Sequence, residues 1–140
     1  MADYFTRFSL VLPLPDEAAR ADALDLANKA SSMSQGEEAP DNFPPSLAAV
    51  IEDWQFETDA DRSPGQWRLS LHSVYGGIDA VCAFIQHLLR EFNPTGRVAF
   101  EWSHDCSKPR TDAFGGGAAF ITSTEIETFS TSEWLQKMTC

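Results

Sequence analysis

The sequence has few positive charges and no long apolar run, and both scarcities limit what the protein can be. Only 10 lysines and arginines stand against 21 aspartates and glutamates, which gives a net charge of −11 at neutral pH. A field of this sign repels nucleic acids and anionic membranes and attracts basic surfaces. Charges or prolines interrupt every apolar stretch before the roughly 18 residues that a membrane span requires. We therefore predict no direct nucleic-acid binding and no membrane association.

Cysteine is also scarce, and its placement argues against a disulfide framework or a zinc site. The three cysteines stand at positions 82, 106 and 140, with no pair at a characteristic spacing. An odd number of cysteines fits a reducing compartment. The N-terminus has no basic region, and its first apolar run ends at Pro13, too soon for a signal core and cleavage site. The sequence predicts a soluble, cytoplasmic protein with free thiols and with no metal or cofactor.

The first half of the chain predicts one strand, one helix and a loop within a single domain that spans residues 1–140. Side chains alternate with a period of two from Tyr4 to Leu12, as in a β-strand. Apolar residues then recur at helical spacing from Ala19 to Ala30, so a helix should end near Ser32. Residues 34–45 read as a surface loop, and 46–51 fit either a short helix or the start of a strand.

The second half predicts a hairpin, a strongly amphipathic helix, two further strands and a closing helix. Strands at 54–57 and 67–73 should flank a turn at 59–65 and pair in antiparallel fashion. An unbroken core-facing stripe predicts a helix from Ile78 to Phe92. Strands are predicted at 98–103 and 118–128. Ser130 and Glu133 form a capping-box pattern, so a helix over 131–138 should lay Trp134, Leu135 and Met138 on the sheet.

The resulting order, β-α-β-β-α-β-β-α, predicts an α+β fold. It matches a ferredoxin-like, split βαβ sandwich, with a mostly antiparallel sheet and both long helices on one face. Gly76 and Gly77 stand between a strand and the second long helix, where a tight turn is the favoured interpretation and an anion site the alternative. This fold accommodates enzymes, binding modules and regulators alike, so function must come from the side chains.

Negative charge is concentrated in the first half of the chain. Residues up to Asp61 carry thirteen acids and three bases, and the segment from Ala30 to Asp61 carries eight acids and no base. A solubilising surface is the simplest interpretation. The uneven distribution favours a docking surface for a basic protein, with aromatic anchors among the carboxylates. The predicted partner-binding residues are Glu37, Glu38, Asp41, Glu52, Asp53, Glu57, Asp59, Asp61 and Trp54.

A second candidate is the segment from His104 to Gly117, which is predicted to be a loop. It combines an imidazole, a thiol, two carboxylates and two bases, and it ends in three glycines. Cys106 could act as a nucleophile with His104 as its base, while the glycine N–H groups bind an oxyanion. The alternative is a structural connection in which the acids bond the turn and the bases pair with carboxylates. The residues of this secondary candidate site are His104, Asp105, Cys106, Lys108, Arg110 and Asp112.

In its order of elements, the Gly76-Gly77 junction and a glycine-rich strand near the C-terminus, the chain resembles small ferredoxin-like proteins of phages and plasmids. Its size, its acidity and its lack of a catalytic motif are similar to those of phage-encoded inhibitors of host defence, including anti-CRISPR proteins that mimic nucleic acid. The resemblance implies a non-enzymatic inhibitor or regulator that docks on a basic protein, such as one that binds nucleic acid. A small enzyme or ligand-binding domain is the alternative. The third hypothesis is a structural subunit of an oligomer, such as a homodimer, in which an exposed sheet edge or face pairs with its copy.

Overall fold

The computed structural model describes residues 2–61 and 63–139, and within them the fold is α+β, with a six-stranded antiparallel open sheet and four α-helices. The strands are β1 (Tyr4–Leu14), β2 (Glu57–Asp61), β3 (Trp67–Ser73), β4 (Val98–Cys106), β5 (Gly115–Ile121) and β6 (Ile126–Ser130). The helices are α1 (Glu17–Ser34), α2 (Pro45–Ala48), α3 (Ile78–Phe92) and α4 (Thr131–Thr139), with a 3-10 helix at Ile51–Asp53. Across these described ranges, no helix is both long enough and apolar enough to cross a membrane.

The sheet runs in the order β2-β3-β1-β4-β5-β6, so β2 and β6 are its two edges. The central strand β1 pairs with β3 along one side, with Leu12 opposite Leu69, and with β4 along the other, with Thr6 opposite His104. All five strand pairings are antiparallel. The two edges are therefore separated by the full width of the sheet.

One face of the sheet is covered by a single hydrophobic core. Alternate residues of the central strands, such as Leu12 and Leu71, point into it, and both long helices contribute to it. The α1 contribution is a row of alanines, which lets that helix pack closely, whereas α3 inserts larger side chains such as Phe84. On the opposite face, intervening residues such as Ser9 and Val11 are exposed.

The prediction for the first hairpin was wrong in its position. The alternation at 54–57 reflects burial, because Trp54 and Phe56 pack into the core from an irregular segment, with ring centroids 4.6 Å apart. The strand that pairs with β3 is β2, which begins at Glu57, the last residue of the predicted strand, and runs on into the stretch that the sequence assigned to a turn. Residues 46–51 were predicted to be either a short helix or the start of a strand, and the structure has the short helix α2 there. Pro44 rather than Ser46 is its N-cap.

The C-terminal region also departs from prediction. The segment from 118 to 128 is a hairpin rather than one strand, and it turns where the backbone N–H of Thr122 donates to the carbonyl of Glu125 at 2.9 Å. The predicted cap of α4 is confirmed, because the N–H of Glu133 donates to Ser130 Oγ at 3.1 Å. The predicted packing of that helix is wrong, since Trp134, Leu135 and Met138 remain 48%, 54% and 62% exposed.

Candidate functional site

The carboxylates of β2 lie on the uncovered face of the sheet at one of its edges. Glu57 and Asp59 occupy alternate positions and are 79% and 72% exposed. Their nearest basic group is His72 on β3, whose Nε2 lies 3.8 Å from Glu57 Oε2 and 3.4 Å from Asp59 Oδ2. Both side chains are thus free to reach an external cation.

Asp61, the third acid of this strand, is already paired. It forms an ion pair with Arg68 on β3, the residue opposite it, and it accepts a hydrogen bond from Ser63 Oγ at 3.3 Å. Its side chain is 26% exposed. Although the sequence grouped Asp61 with the partner-binding acids, its charge is largely compensated within the fold.

Asp53 is also committed to the fold. Its Oδ2 accepts the backbone N–H of Ala80 at 3.2 Å, in the first turn of α3. The N-cap of that helix is Gly77, which has no side chain to supply this bond. Asp53 therefore satisfies a free N–H and places a negative charge at the positive end of the helix.

Trp54 is not a surface anchor. It is 7% exposed and packs edge-on against Phe84 of α3, with ring centroids 5.4 Å apart. The prediction that it contacts a partner is wrong because its aromatic surface is already covered. Phe56 is likewise buried, and Phe43 is partly buried against the core.

The remaining predicted acids are exposed. Glu37, Glu38 and Asp41 lie in the connection between α1 and α2, and Glu52 lies in the 3-10 helix. Together with Glu57 and Asp59, these four are the exposed carboxylates to which we refer collectively as the acidic surface. The C-terminal half of α1 borders β2 in a depression of about 240 Å³ that includes Ser31 and Glu57.

The structure adds carboxylates that sequence reasoning did not place in this group. Asp22 and Asp25 of α1 line a depression of about 370 Å³ together with Glu91 of α3 and Asn42 of the connecting loop. Asp25 pairs with Lys29 one turn away at 2.8 Å. The sequence holds little signal for this grouping, since only the packing of α1 beside α3 brings Glu91 to the other two.

His87 lies in the same depression. It is half-buried, and desolvation lowers its pKa, with the nearby Arg90 acting in the same direction and Glu91 opposing it. The neutral imidazole is therefore the form that the folded protein favours. His87 adds no positive charge that would offset the surrounding carboxylates near neutral pH.

The secondary candidate segment is less of a loop than predicted. β4 continues to Cys106, so His104 and Cys106 lie on the same face, opposite Thr6 and Tyr4 of β1. Asp105 points to the other face, where its Oδ2 lies 3.1 Å from Arg7 Nε. The actual loop is 107–114, and its predicted site residues Lys108, Arg110 and Asp112 are all exposed.

The side chains around His104 do not form a relay with the thiol. The hydrogen bond found for His104 joins its Nδ1 to Thr6 Oγ1 at 2.8 Å, and Cys106 is half-buried at the end of the strand. Tyr4, Thr6, His104, Asp112 and Thr131 border a depression of about 310 Å³. The imidazole and hydroxyl groups face this space with no carboxylate hydrogen-bonded to the imidazole.

The glycines of this segment were predicted to present N–H groups to an oxyanion, and the structure uses them differently. Gly116 donates its N–H to Thr131 Oγ1 at 3.1 Å, which ties β5 to the start of α4. A Cβ on Gly117 would collide with the ring of Trp102 and the carbonyl of Phe129. These positions are glycine because neighbouring strands approach closely, and that part of the prediction was wrong.

Gly76 and Gly77 form the tight turn that precedes α3. Their φ angles are +102° and +87°, in the region that favours glycine. A Cβ on Gly77 would lie 3.1 Å from the carbonyl oxygen of Asp53. The turn thus holds the 3-10 helix against the start of α3.

Within 2–61 and 63–139, no cluster of three His, Cys, Asp or Glu side chains is arranged to hold a metal ion. His72, His87 and His104 stand on β3, α3 and β4. Burial, with Asp79 and Asp53 nearby, raises the pKa of Cys82 to about 12. Cys82 and Cys106 are free thiols, and Cys140 lies outside the described residues.

Comparison of the chain with protein-family models, with curated proteins and with solved structures gives no match. The surface chemistry is therefore the basis on which a function can be inferred.

Proposed function

We propose that this protein is a non-enzymatic inhibitor or regulator that docks its acidic surface on a basic protein in the cytoplasm. The observation that carries the proposal is the exposure of six carboxylates within a segment that contains no lysine or arginine. These are Glu37, Glu38, Asp41, Glu52, Glu57 and Asp59.

Uncompensated carboxylates on a small domain repel one another, and this repulsion opposes the compact state. A partner that brings lysines or arginines into the gaps relieves that repulsion as it binds. Such complementarity raises the association rate and selects against partners of the wrong sign. The interaction is screened over about 10 Å at 0.1 M salt, so it should weaken steeply as salt is added.

The proposed partner class is a protein or complex that binds nucleic acid. A groove that holds a phosphate backbone is rich in lysine and arginine, and exposed carboxylates on β2 and the neighbouring loop can take the place of the phosphates. This is the mode of action implied by the resemblance to phage-encoded, anti-CRISPR-like inhibitors. Homodimer formation, the remaining hypothesis, is compatible with it.

We also assign the fold to the ferredoxin-like class. The support is the order of four of the strands, β2-β3-β1-β4, combined with the connection of β1 to β2 through α1 and of β3 to β4 through α3. In this assignment, β5 and β6 extend the sheet beyond β4.

The test is a pulldown from host lysate at low and high salt, with mass spectrometry of the retained proteins. A triple variant, Glu52→Lys, Glu57→Lys and Asp59→Lys, should lose the partner. Asp53 and Asp61 are left unchanged because both support the fold. The matched control is Glu101→Lys, Glu125→Lys and Glu133→Lys, all exposed and all outside the acidic surface.

Both triple variants have a net charge of −5 instead of −11, so any effect of net charge alone on binding is the same in the two variants. Loss of the partner in the first variant alone supports the acidic surface. A partner that is retained at high salt and by both variants would rule the proposal out. Equal loss in both variants would assign the binding to net charge rather than to this surface.

The alternative is a small ligand-binding domain or enzyme at the depression beside His104. Its support is the placement of His104 and Cys106 on one face of β4, next to the hydroxyl of Thr6. In that case Cys106→Ser or His104→Ala should remove function while the circular dichroism spectrum stays unchanged. Full function in both variants would end this alternative.

A further inference from the structure

The segment from β6 through α4 exposes large apolar side chains that the core does not use. Residues 126–129 and 132–139 are exposed, and α4 has no buried residue. Five large apolar residues lie within this stretch, with exposed fractions between 40% and 62%. They are Ile126, Phe129, Trp134, Leu135 and Met138.

β6 is also an edge strand with one side of its backbone available. The hydrogen bond from Thr122 to Glu125 closes the hairpin, and bonded pairs then alternate along an antiparallel ladder. Glu127 and Phe129 therefore direct their N–H and C=O groups to β5. The N–H and C=O groups of Ile126 and Thr128 and the N–H of Ser130 point outwards, away from the sheet, while the C=O of Ser130 accepts the first hydrogen bond of α4 as its N-cap residue.

These outward groups define a self-complementary register. If a second copy pairs with β6 in antiparallel fashion about Thr128, Thr128 faces the second copy's Thr128, and Ile126 faces the second copy's Ser130. The two Thr128 residues then exchange both backbone hydrogen bonds, and each Ser130 donates its N–H to the carbonyl of the second copy's Ile126. Glu127 lies opposite the second copy's Phe129, so no two like charges face each other.

Charge favours a second copy over a basic partner at this edge. Residues 115–139 contain three acids and one base, whereas the acidic surface begins at the opposite edge of the sheet. Two copies joined through β6 would keep their most acidic regions far apart.

The available area is sufficient for a stable contact. Large side chains that are about half exposed leave on the order of 100 Å² each in solvent, so five leave about 500 Å² per copy. The backbone edge and the intervening polar side chains bring this close to the roughly 800 Å² per partner of a standard interface. In the register above, each α4 also begins beside the second copy's Ile126.

We propose that the protein forms a two-fold symmetric homodimer by antiparallel pairing of β6 with the β6 of a second copy, with α4 of each copy covering the joint. The sheet becomes continuous across the two chains. This surface is separate from the acidic surface, so the dimer does not depend on the proposed function.

The test is the molar mass of the full chain, measured by light scattering over a wide range of concentration. We expect twice the chain mass of 15.5 kDa. Thr128→Lys and Thr128→Glu should each give the mass of one chain, because self-pairing places two like charges opposite each other. An equimolar mixture of the two variants should restore the doubled mass through a Lys–Glu pair.

The matched control is Val11→Lys, since Val11 is 46% exposed but lies on the central strand β1. This variant should remain dimeric. A wild-type chain that stays monomeric, or that gains mass only with another protein, would overturn the proposal. So would a Thr128→Lys variant that remains dimeric, or a mixture of the two charged variants that fails to recover the doubled mass.

Discussion

Asp53 Oδ2 lies 3.2 Å from the backbone nitrogen of Ala80 and accepts its hydrogen bond, although 27 residues separate the two in sequence. Asp53 thus does for α3 what an N-cap side chain does for other helices. Its neighbour Glu52 is exposed and makes no hydrogen bond or ion pair among those found for the described residues.

This difference predicts opposite behaviour for two adjacent acids. Asp53→Ala should lower the free energy of unfolding by about 1 kcal/mol, the usual cost of losing a helix cap. Glu52→Ala should change it by less than about 0.5 kcal/mol, as for most surface sites. Urea denaturation of both variants measures this, and equal stability of the two would contradict the capping role.

The turn before α3 gives a second prediction. Gly77→Ala should destabilise the fold by more than the roughly 1–2 kcal/mol that a left-handed backbone costs a residue with a Cβ, because the new atom meets the Asp53 carbonyl. Gly65→Ala is the control, since Gly65 has φ +74° with open space around it. It should show the conformational cost alone. Thermal unfolding that ranks Gly65→Ala as the worse of the two would refute the close approach.

Cys82 should be chemically inert in the folded protein. Burial and the nearby Asp79 and Asp53 raise its pKa to about 12, so the reactive thiolate is nearly absent at pH 8. Iodoacetamide should modify Cys82 only after denaturant is added, while the half-buried Cys106 reacts in the native state. Peptide mass spectrometry after timed quenching gives both rates. Labelling of Cys82 at the denatured rate without denaturant would show that the core opens readily.

The lowered pKa of His87 predicts how the stability of the protein depends on pH. Its pKa in the folded state is lowered from 6.5, chiefly by desolvation, so the unfolded chain binds a proton more readily. The contribution of His87 to stability is therefore fully present above pH 6.5, and it is lost as the pH falls through 6.5 towards the folded-state pKa. His87→Gln should flatten this part of the profile while acidic groups still act at lower pH. An unchanged slope between wild type and variant would exclude His87 as the cause.

The sequence predicted α3 and β3 accurately because each element has a clear local pattern. α3 has an unbroken apolar stripe with Gly77 before it and Asn93-Pro94 after it, and β3 alternates cleanly from Trp67 to Ser73. Trp54 and Phe56 produced the same alternation in an irregular segment. A short apolar pattern reports that side chains are buried, and it does not distinguish a strand from a loop that packs on the core.

The acidic surface was only partly predictable for a different reason. Counting charges along the chain located the region, but the role of each acid depends on partners that folding supplies. Asp61 pairs with Arg68 on the adjacent strand, and Asp53 accepts a hydrogen bond from Ala80 at the start of α3, 27 residues along the chain. Local sequence signals likewise predicted the start of α4 through Ser130, but they did not indicate that its apolar residues stay exposed instead of packing on the sheet.

The strand order β2-β3-β1-β4-β5-β6 also shapes how the molecule responds to an electric field. Its edges are five strand spacings apart, on the order of 24 Å at about 4.8 Å each. With most of the negative charge towards the β2 side, a single chain has an electric dipole directed across its strands. Near a positively charged body that dipole experiences a torque, which turns β2 forward before contact. In a dimer joined at β6 the two dipoles oppose and cancel, so the assembly loses this orienting torque and presents an equivalent acidic end in either direction.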